Sequence, residues 1–348
     1  MARVFIHVGG HKTGTSYLQA MFDQNRDLLA QHGIYYPHIG PNNAHHALAA
    51  HWINIGDIPD SFYGEAGAMG LWTALTKRYA DAPGTLFLSA ENFTRIRPER
   101  IDMAELAGLL SAFEDVRVVY TMRRQTDTVQ SLWMQIAKTR RAAVLRGYVE
   151  TALEHRRGGG IPIDYSSVYT HLREGFTPEQ IYLIDYSAMK RAPGGIVGTF
   201  LRLLGSDLEA SDLTLLRSTE EANVSPDPIA LFMACEVLDQ TAAPPAHLVK
   251  TITRAVRAPG APPATLLTRA EYQKVRSRFA GANTKLVEQV QQTQPGFNFD
   301  EDEMPEDLFY RDDLTVAHWT KVAAALHTER PVPEWVQSKQ LLRRLLKL

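Results

Sequence analysis

Residues 3–19, RVFIHVGGHKTGTSYLQ, constrain the fold more than any other part of the chain. The apolar run from Val4 to Val8 has the composition of a strand buried on both faces, and it ends at a glycine pair. The hydroxyl-rich residues after Lys12 open a periodic pattern that predicts a helix. A strand, a glycine turn and a helix start direct several backbone N–H groups to one point, so this stretch predicts a site for a phosphate or a sulfate.

Strand and helix signals alternate along the first two thirds of the chain. Short apolar or β-branched runs fall at 4–8, 85–89, 116–121 and 181–184, and helical patterns fall at 17–31, 104–113, 127–147 and 196–204. This alternation predicts an α/β fold in three layers, with a central, mainly parallel sheet flanked by helices. The functional site is then expected at the carboxyl ends of the strands.

After about residue 225 the strand signals fade. The stretch 241–267 is rich in proline and alanine and predicts a loop, and the tail QLLRRLLKL predicts a basic amphipathic helix. At 348 residues, we expect one domain over 1–348, with an α/β cofactor-binding core at 1–225 and a mostly helical extension at 226–348.

Composition limits the classes of partner. The net charge of −2 gives no general attraction to nucleic acid or to an anionic membrane, and the single cysteine, Cys235, excludes an internal disulfide. Its apolar neighbours predict a buried thiol. No run approaches the roughly 20 apolar residues of a membrane span, and the N-terminus lacks the pattern of a signal peptide. We therefore expect a cytoplasmic protein, with its oligomeric state left open.

The order of residues in the first loop sets it apart from the nucleotide-kinase loop. In a Walker A motif the lysine follows the second glycine, whereas here Lys12 precedes Gly14. The order K-T-G-T-S, followed by a helix and the Gly-Ile-x-Tyr-Pro of residues 33–37, resembles the 5′-phosphosulfate loop of bacterial sulfotransferases that use 3′-phosphoadenosine 5′-phosphosulfate (PAPS). The resemblance implies a P-loop-like sulfotransferase fold, no metal requirement, and cofactor contacts from His11, Lys12, Thr13, Gly14, Thr15 and Ser16.

A second motif lies at the end of the run VRVVYTMRRQTDTVQS. Arg123, Asp127 and Ser131 match the pattern R-x-x-x-D-x-x-x-S, in which the same superfamily binds the 3′-phosphate of the cofactor with the Arg and the Ser. Positions four and eight after Arg123 lie near one helical face, so both side chains can approach one phosphate. Arg124 follows directly and is a competitor for this role. A third similarity covers 181–205, although the acidic pair usual in that turn is absent here.

Sulfuryl transfer to a hydroxyl needs a base and a positive group at the leaving phosphate. Lys12 is the natural stabiliser of the leaving group. Glu91 ends the run TLFLSAENF, at the edge of the sheet where the site is expected, and it is one candidate base. His46, in NNAHHALAAHW with His45 and His51, is the other. Zinc is a weaker interpretation of these histidines, because no third ligand is identifiable.

The resemblance implies transfer of the sulfuryl group of PAPS to a hydroxyl or amine of a carbohydrate or small-molecule acceptor. Two alternatives remain open: a phosphoryl-transfer kinase of P-loop type, and a catalytically silent nucleotide-binding protein. As a further hypothesis, some of the basic residues between Lys138 and Arg157 line the acceptor cleft and favour an anionic acceptor, and Arg140 and Arg141 are the pair whose neutralisation tests it.

Overall fold

The computed structural model describes residues 2–56, 58–214, 225–299 and 307–328. Its strands, in chain order, are β1 (Ala2–His7), β2 (Ile34–Tyr35), β3 (Gly84–Ser89), β4 (Asp115–Met122), β5 (Arg157–Gly158), β6 (Ile161–Pro162) and β7 (Ile181–Asp185). Among these residues β2, β3, β1, β4 and β7 lie side by side in that order, and every pair is parallel. β5 and β6 form a short antiparallel hairpin.

Helices follow the strands as the alternation predicted. They are α1 (Thr15–Gln24), α2 (Arg26–Gln31), α3 (Gly67–Tyr79), α4 (Met103–Leu109), α5 (Gln125–Thr139), α6 (Leu145–His155), α7 (Tyr165–Leu172), α8 (Tyr186–Arg191), α9 (Gly195–Leu203), α10 (Pro228–Val237), α11 (Ala246–Val256), α12 (Arg269–Val290) and α13 (Val316–Thr328). Short 3₁₀ turns include His46–His51 and Glu91–Thr94.

The described chain divides into two compact units. The first contains the described parts of Met1–Gln135, Ala143–Val224 and Ala270–Met304, and the second contains those of Ile136–Ala142, Ser225–Arg269 and Pro305–Leu348. The sheet belongs to the first unit, and so does every residue of the candidate site described below.

The sheet is covered on both faces because its strands are apolar on both faces. In β1, Val4 and Ile6 contribute to one hydrophobic cluster with residues of α3, α4, α7 and α12, while Phe5 contributes to the opposite cluster with residues of α1, α2, α8 and α9. Alternate residues of a strand point to opposite faces, so this division defines three layers. The predicted fold class, with its helical C-terminal region, is confirmed.

A side chain pairs with the outer strand β7 at one lateral edge of the sheet. The Gln294 amide accepts a hydrogen bond from the Leu183 N–H at 3.0 Å and donates one to the Leu183 carbonyl at 2.8 Å. The side chain therefore takes the place of a neighbouring strand beside β7, and this satisfies backbone groups that an edge strand leaves open.

The second unit is helical in its described part. α11 packs against α10 and α13. α10 begins at Pro228, and the Asp227 side chain accepts the Ala230 N–H at 3.0 Å as its N-cap. The Cys235 thiol is buried on α10, as predicted, and burial raises its pKa to about 11.

Several local predictions are wrong. The pattern at 17–31 is two helices that break at Asn25, and the pattern at 127–147 is likewise two helices, α5 and α6. The proline-rich stretch at 241–267 contains an amphipathic helix, α11, which begins directly after Pro245. The sequence signals also missed β2 and the β5–β6 hairpin, which are only two residues per strand. The basic tail QLLRRLLKL lies outside the described residues.

Candidate active site

The loop between β1 and α1, residues 8–14, lies at the carboxyl end of the sheet and makes a tight turn. Lys12 and Gly14 both have left-handed backbone angles, with φ of 64° and 79°. The Thr13 hydroxyl donates to the Gly10 carbonyl at 2.5 Å, which closes the turn from inside. Gly14 precedes α1, and no side chain of the described part caps the first helical turn. The N–H groups of Tyr17 and Leu18 donate to the Gly14 carbonyl, so those of Thr15 and Ser16 are the ones placed to bind an anion at the start of the helix.

The two glycines after β1 are packed against neighbouring strands. A Cβ on Gly10 would lie 1.9 Å from the Thr121 carbonyl oxygen of β4, and one on Gly9 would lie 2.9 Å from Cα of Glu91. The Thr121 N–H also donates to the Gly9 carbonyl at 2.8 Å. The glycines thus let the loop approach β4 and the end of β3 at backbone distance.

Lys12 lies at the centre of the loop with a charged environment. Its ammonium donates to the Gln135 Oε1 of α5 at 3.1 Å. Burial lowers the pKa of Lys12, the carboxylate of Glu91 opposes that lowering, and the guanidinium of Arg123 adds to it. Glu91 and Arg123 are thus the charges that Lys12 interacts with most.

Arg123 follows β4 and is bound to the loop. Its Nη1 donates to the Lys12 carbonyl at 2.6 Å, and its Cζ lies 5.3 Å from the centre of the Tyr186 ring. The Arg123 N–H donates to the Tyr165 hydroxyl at 3.2 Å, and that hydroxyl donates to the Arg123 carbonyl. The buried Nε has no hydrogen-bond partner among the described residues. A buried guanidinium N–H without a partner is a donor suited to an anionic ligand.

The other residues of the second motif lie on α5. Arg124 donates from Nε to the Asp127 carboxylate at 3.1 Å, in an i,i+3 ion pair. Ser131 is half-buried two helical turns after Arg123. The two arginines therefore have different partners. Arg123 contacts the loop, and Arg124 forms an ion pair with Asp127 of the helix that follows it.

Charged groups from three segments surround His11. Burial lowers the pKa of His11, Glu91 opposes the lowering, and His46, Lys12 and Arg95 add to it. The structure therefore brings together residues that lie up to 84 positions apart, from His11 to Arg95. Arg95, at the end of the Glu91–Thr94 turn, was missed at the sequence level because a lone arginine after a strand carries no motif.

The three histidines of the NNAHHALAAHW segment have different environments. His45 is buried, accepts the Ser89 N–H on Nδ1 at 2.8 Å, and donates from Nε2 to the Pro37 carbonyl at 2.7 Å. His51 lies 2.8 Å from the Glu105 carboxylate. Since both ring nitrogens of His45 are used in the structure, His46 is the member of the 45–46 pair that faces the charges of the loop.

Three of the solved structures that are similar to this chain are a sulfotransferase and two sulfotransferase domains. A sulfotransferase from Alicyclobacillus acidocaldarius is 19% identical, covers 68% of this chain and 93% of its own, and has a TM-score of 0.36. The sulfotransferase domain of the curacin biosynthetic pathway is 12% identical, with coverages of 80% and 96% and a TM-score of 0.36. The sulfotransferase domain of the Synechococcus PCC 7002 olefin synthase is 13% identical, with coverages of 80% and 94% and a TM-score of 0.29.

No family model matches the chain, and no curated protein matches it. No helix among the described residues is long and apolar enough to cross a membrane.

Proposed function

We propose that the protein is a sulfotransferase that moves the sulfuryl group of PAPS to a hydroxyl or amine of a carbohydrate or small-molecule acceptor. One observation carries this proposal: Arg123, from the second motif, is hydrogen-bonded to Lys12, from the first. Two motifs that are 111 residues apart thus form one cationic site at the carboxyl edge of the sheet.

The residues of this site suit a ligand with two anionic ends. The loop offers uncapped N–H groups, the hydroxyls of Thr13, Thr15 and Ser16, and the ammonium of Lys12. The second end offers the Arg123 guanidinium, whose Nε lacks a protein partner in the described chain, and the Ser131 hydroxyl on the following helix. The adenosine bisphosphate part of PAPS carries phosphates at its 5′ and 3′ positions, which these two groups of donors would hold.

PAPS supplies an activated sulfuryl group, and the chain supplies the charges around it. Lys12 stabilises negative charge on the leaving 5′-phosphate, and the backbone N–H groups of the loop share that charge. Glu91 or His46 accepts the proton of the acceptor hydroxyl as its oxygen forms the bond to sulfur. Both candidates lie near His11, on the side of the loop that faces β3.

Isothermal titration separates this proposal from the nucleotide alternatives. The protein should bind 3′-phosphoadenosine 5′-phosphate, the product of the transfer, with micromolar or tighter affinity and without added metal. Tight binding of ATP with Mg²⁺ and none of the bisphosphate would overturn the proposal in favour of a phosphoryl-transfer enzyme.

A transfer assay separates an enzyme from a silent binder. Radiolabelled PAPS is incubated with panels of sugars, phenols, alcohols and amines, and labelled products are resolved by chromatography. Transfer to at least one panel that falls at least about 100-fold in Lys12→Ala supports the enzyme. Binding of the bisphosphate with no transfer to any panel would favour the silent nucleotide-binding protein.

A further inference from the structure

A cavity of about 570 Å³ lies beyond the 3₁₀ turn that carries His46. It is lined by the end of that turn and its continuation, Ala50–Ile55, and by residues of the 58–68 segment that leads into α3. The volume is in the range of sites that bind small molecules. None of its lining residues belongs to the loop or to β4, so the cavity is distinct from the cationic site.

The lining combines aromatic and apolar side chains with carboxylates. Trp52 and Tyr63 supply aromatic surface, Ile53, Ile55 and Ile58 supply apolar surface, and Asp60 and Glu99 supply negative charge. The lining contains no lysine or arginine, and its histidine, His51, is paired with Glu105. Aromatic faces and carboxylates together are the groups that recognise an organic ammonium ion.

Tyr63 is the second aromatic residue of the lining. Its hydroxyl is buried and has no hydrogen-bond partner among the described residues, although the residue lines the cavity. Because that hydroxyl has almost no accessible surface, a ligand does not reach it, and Tyr63 contributes its ring to the lining. Asp60 lies close enough for its charge to raise the pKa of Tyr63, in addition to the effect of burial.

The position of the cavity relates it to the cationic site. His46, at one end of the 3₁₀ turn, interacts with His11 of the loop, and His51, at the other end, lines the cavity. A 3₁₀ helix rises about 2 Å per residue, so about 10 Å of rigid backbone separates the two ends. One elongated molecule can therefore extend from His46 to the cavity.

We propose that this cavity binds the non-reacting end of the acceptor, and that this end is an amphipathic organic cation such as an alkyl- or arylammonium group. The proposal rests on the proposed sulfotransferase function, and it names the substrate class. Its charge is opposite to that suggested by Arg140 and Arg141, which are exposed. The carboxylates select the ammonium, and the aromatic and isoleucine surfaces hold the attached carbon chain.

Three probes of equal shape test the charge selectivity. The full-length protein is titrated with 3-phenylpropylamine, 3-phenylpropan-1-ol and 3-phenylpropionate at low ionic strength, and binding is followed by calorimetry and ligand-observed NMR. The amine should bind about tenfold more tightly than the alcohol, and the carboxylate should bind most weakly. Equal affinity for the three probes, or a preference for the carboxylate, would overturn the proposal.

Variants locate the amine in the cavity. The double substitution Asp60→Asn with Glu99→Gln should lower the affinity for the amine about tenfold and leave that for the alcohol unchanged. Ala68→Phe, which fills the cavity from α3, should weaken all three probes. Glu65→Gln removes an exposed charge of the same segment that does not line the cavity, and it should change none of them. Unchanged amine affinity in the double variant would refute the site.

Binding of 3′-phosphoadenosine 5′-phosphate is measured in the same samples. If the bisphosphate binds but the protein does not prefer the amine over the alcohol and the carboxylate, the cavity proposal fails and the sulfotransferase proposal stands. If the bisphosphate does not bind, the sulfotransferase proposal fails, whatever the amine does. The amine should also bind when the bisphosphate is saturating, and competition between the two would overturn its placement in the cavity.

Discussion

Arg123 Nη1 donates a hydrogen bond to the backbone carbonyl of Lys12 across 2.6 Å, which joins the end of β4 to the loop after β1. Two consequences follow. The guanidinium contributes charge at the loop, and the bond supports the left-handed backbone of Lys12, whose φ is 64°. The pair therefore serves both the shape of the loop and its affinity for anions.

Arg123→Lys tests whether binding needs the planar guanidinium of Arg123 or only a positive charge at this position. The lysine keeps the positive charge but loses the planar fork, so it cannot contact Lys12 and a phosphate together. We expect the affinity for 3′-phosphoadenosine 5′-phosphate, measured by calorimetry, to fall about 10- to 100-fold. The matched control is Arg124→Lys, whose native partner is Asp127, and it should change the affinity less than about threefold. A larger effect at Arg124 would assign the phosphate contact to that residue.

Lys12 should show a conflict between stability and function. A non-glycine residue in the left-handed region is strained, so Lys12→Gly should have a free energy of unfolding about 1 kcal/mol higher than Lys12→Ala. Both variants lack the ammonium, and transfer should fall by a factor of about 10² to 10³ in each. Urea unfolding and the labelled-PAPS assay measure the two effects. An active Lys12→Gly enzyme would contradict the role of the side chain in stabilising the leaving group.

Gly10 should tolerate no side chain. Because a Cβ would lie 1.9 Å from the Thr121 carbonyl oxygen, Gly10→Ala must displace the loop from β4. We expect a loss of about 2 to 4 kcal/mol in the free energy of unfolding, measured by urea titration, and a loss of bisphosphate binding.

Gly147→Ala is the matched control for Gly10. This glycine lies inside α6, and apart from its chain neighbours and the backbone of its own helix, nothing in the described chain lies within 4 Å of its added Cβ. The substitution should raise the free energy of unfolding by about 0.5 to 1 kcal/mol and leave bisphosphate binding unchanged. A Gly10→Ala variant as stable as the parent would show that the loop does not need its close approach to β4.

The sequence predicted the central strands and the loop because their signals are local. β1, β3, β4 and β7 are apolar runs that need no partner to be recognised, and the glycines and Lys12 stand next to one another in the chain. β2 is different, since two residues become a strand only through pairing with β3. Its existence depends on a tertiary contact that periodicity cannot detect.

The candidate site was predictable only in part for a similar reason. Glu91 could be placed at the carboxyl end of the sheet because it comes two residues after the end of β3. The hydrogen bond from Arg123 to the Lys12 carbonyl could not be predicted from the sequence, because it depends on the side-by-side packing of β1 and β4. Arg95 and the cavity beside Trp52 depend in the same way on how loops fold over the sheet, which no fixed spacing encodes.

The base should be identified by comparing two variants with the acceptor that the transfer screen provides. Glu91→Gln keeps the size of a side chain that packs on Gly9 but cannot accept a proton, so we expect kcat to fall at least about 100-fold. His46→Asn should lower kcat less than about tenfold, through a change in the charges near His11. The two mutants are compared as pH profiles of kcat. The opposite order of effects would assign the proton transfer to His46.

His45 should make stability depend on pH. Its Nδ1 accepts the Ser89 N–H, which only a neutral ring can do, and burial lowers its pKa to about 4 from the usual 6.5. Between pH 6.5 and 4 the unfolded chain therefore binds more protons than the folded one. The contribution of the neutral His45 ring to the free energy of unfolding is complete above pH 6.5, and it is lost as the pH falls towards 4.

Urea unfolding at several pH values between 7 and 4.5 measures this dependence. Uptake of one proton on unfolding corresponds to a slope of about 1.4 kcal/mol per pH unit, and His45→Asn should reduce the slope by up to that amount. Other histidines also contribute to the slope: burial lowers the pKa of His7 to about 3, that of His171 to about 4, and that of His11 as well. An unaltered slope in His45→Asn would mean that the ring becomes charged within the fold, and the hydrogen bond from Ser89 would then have to break.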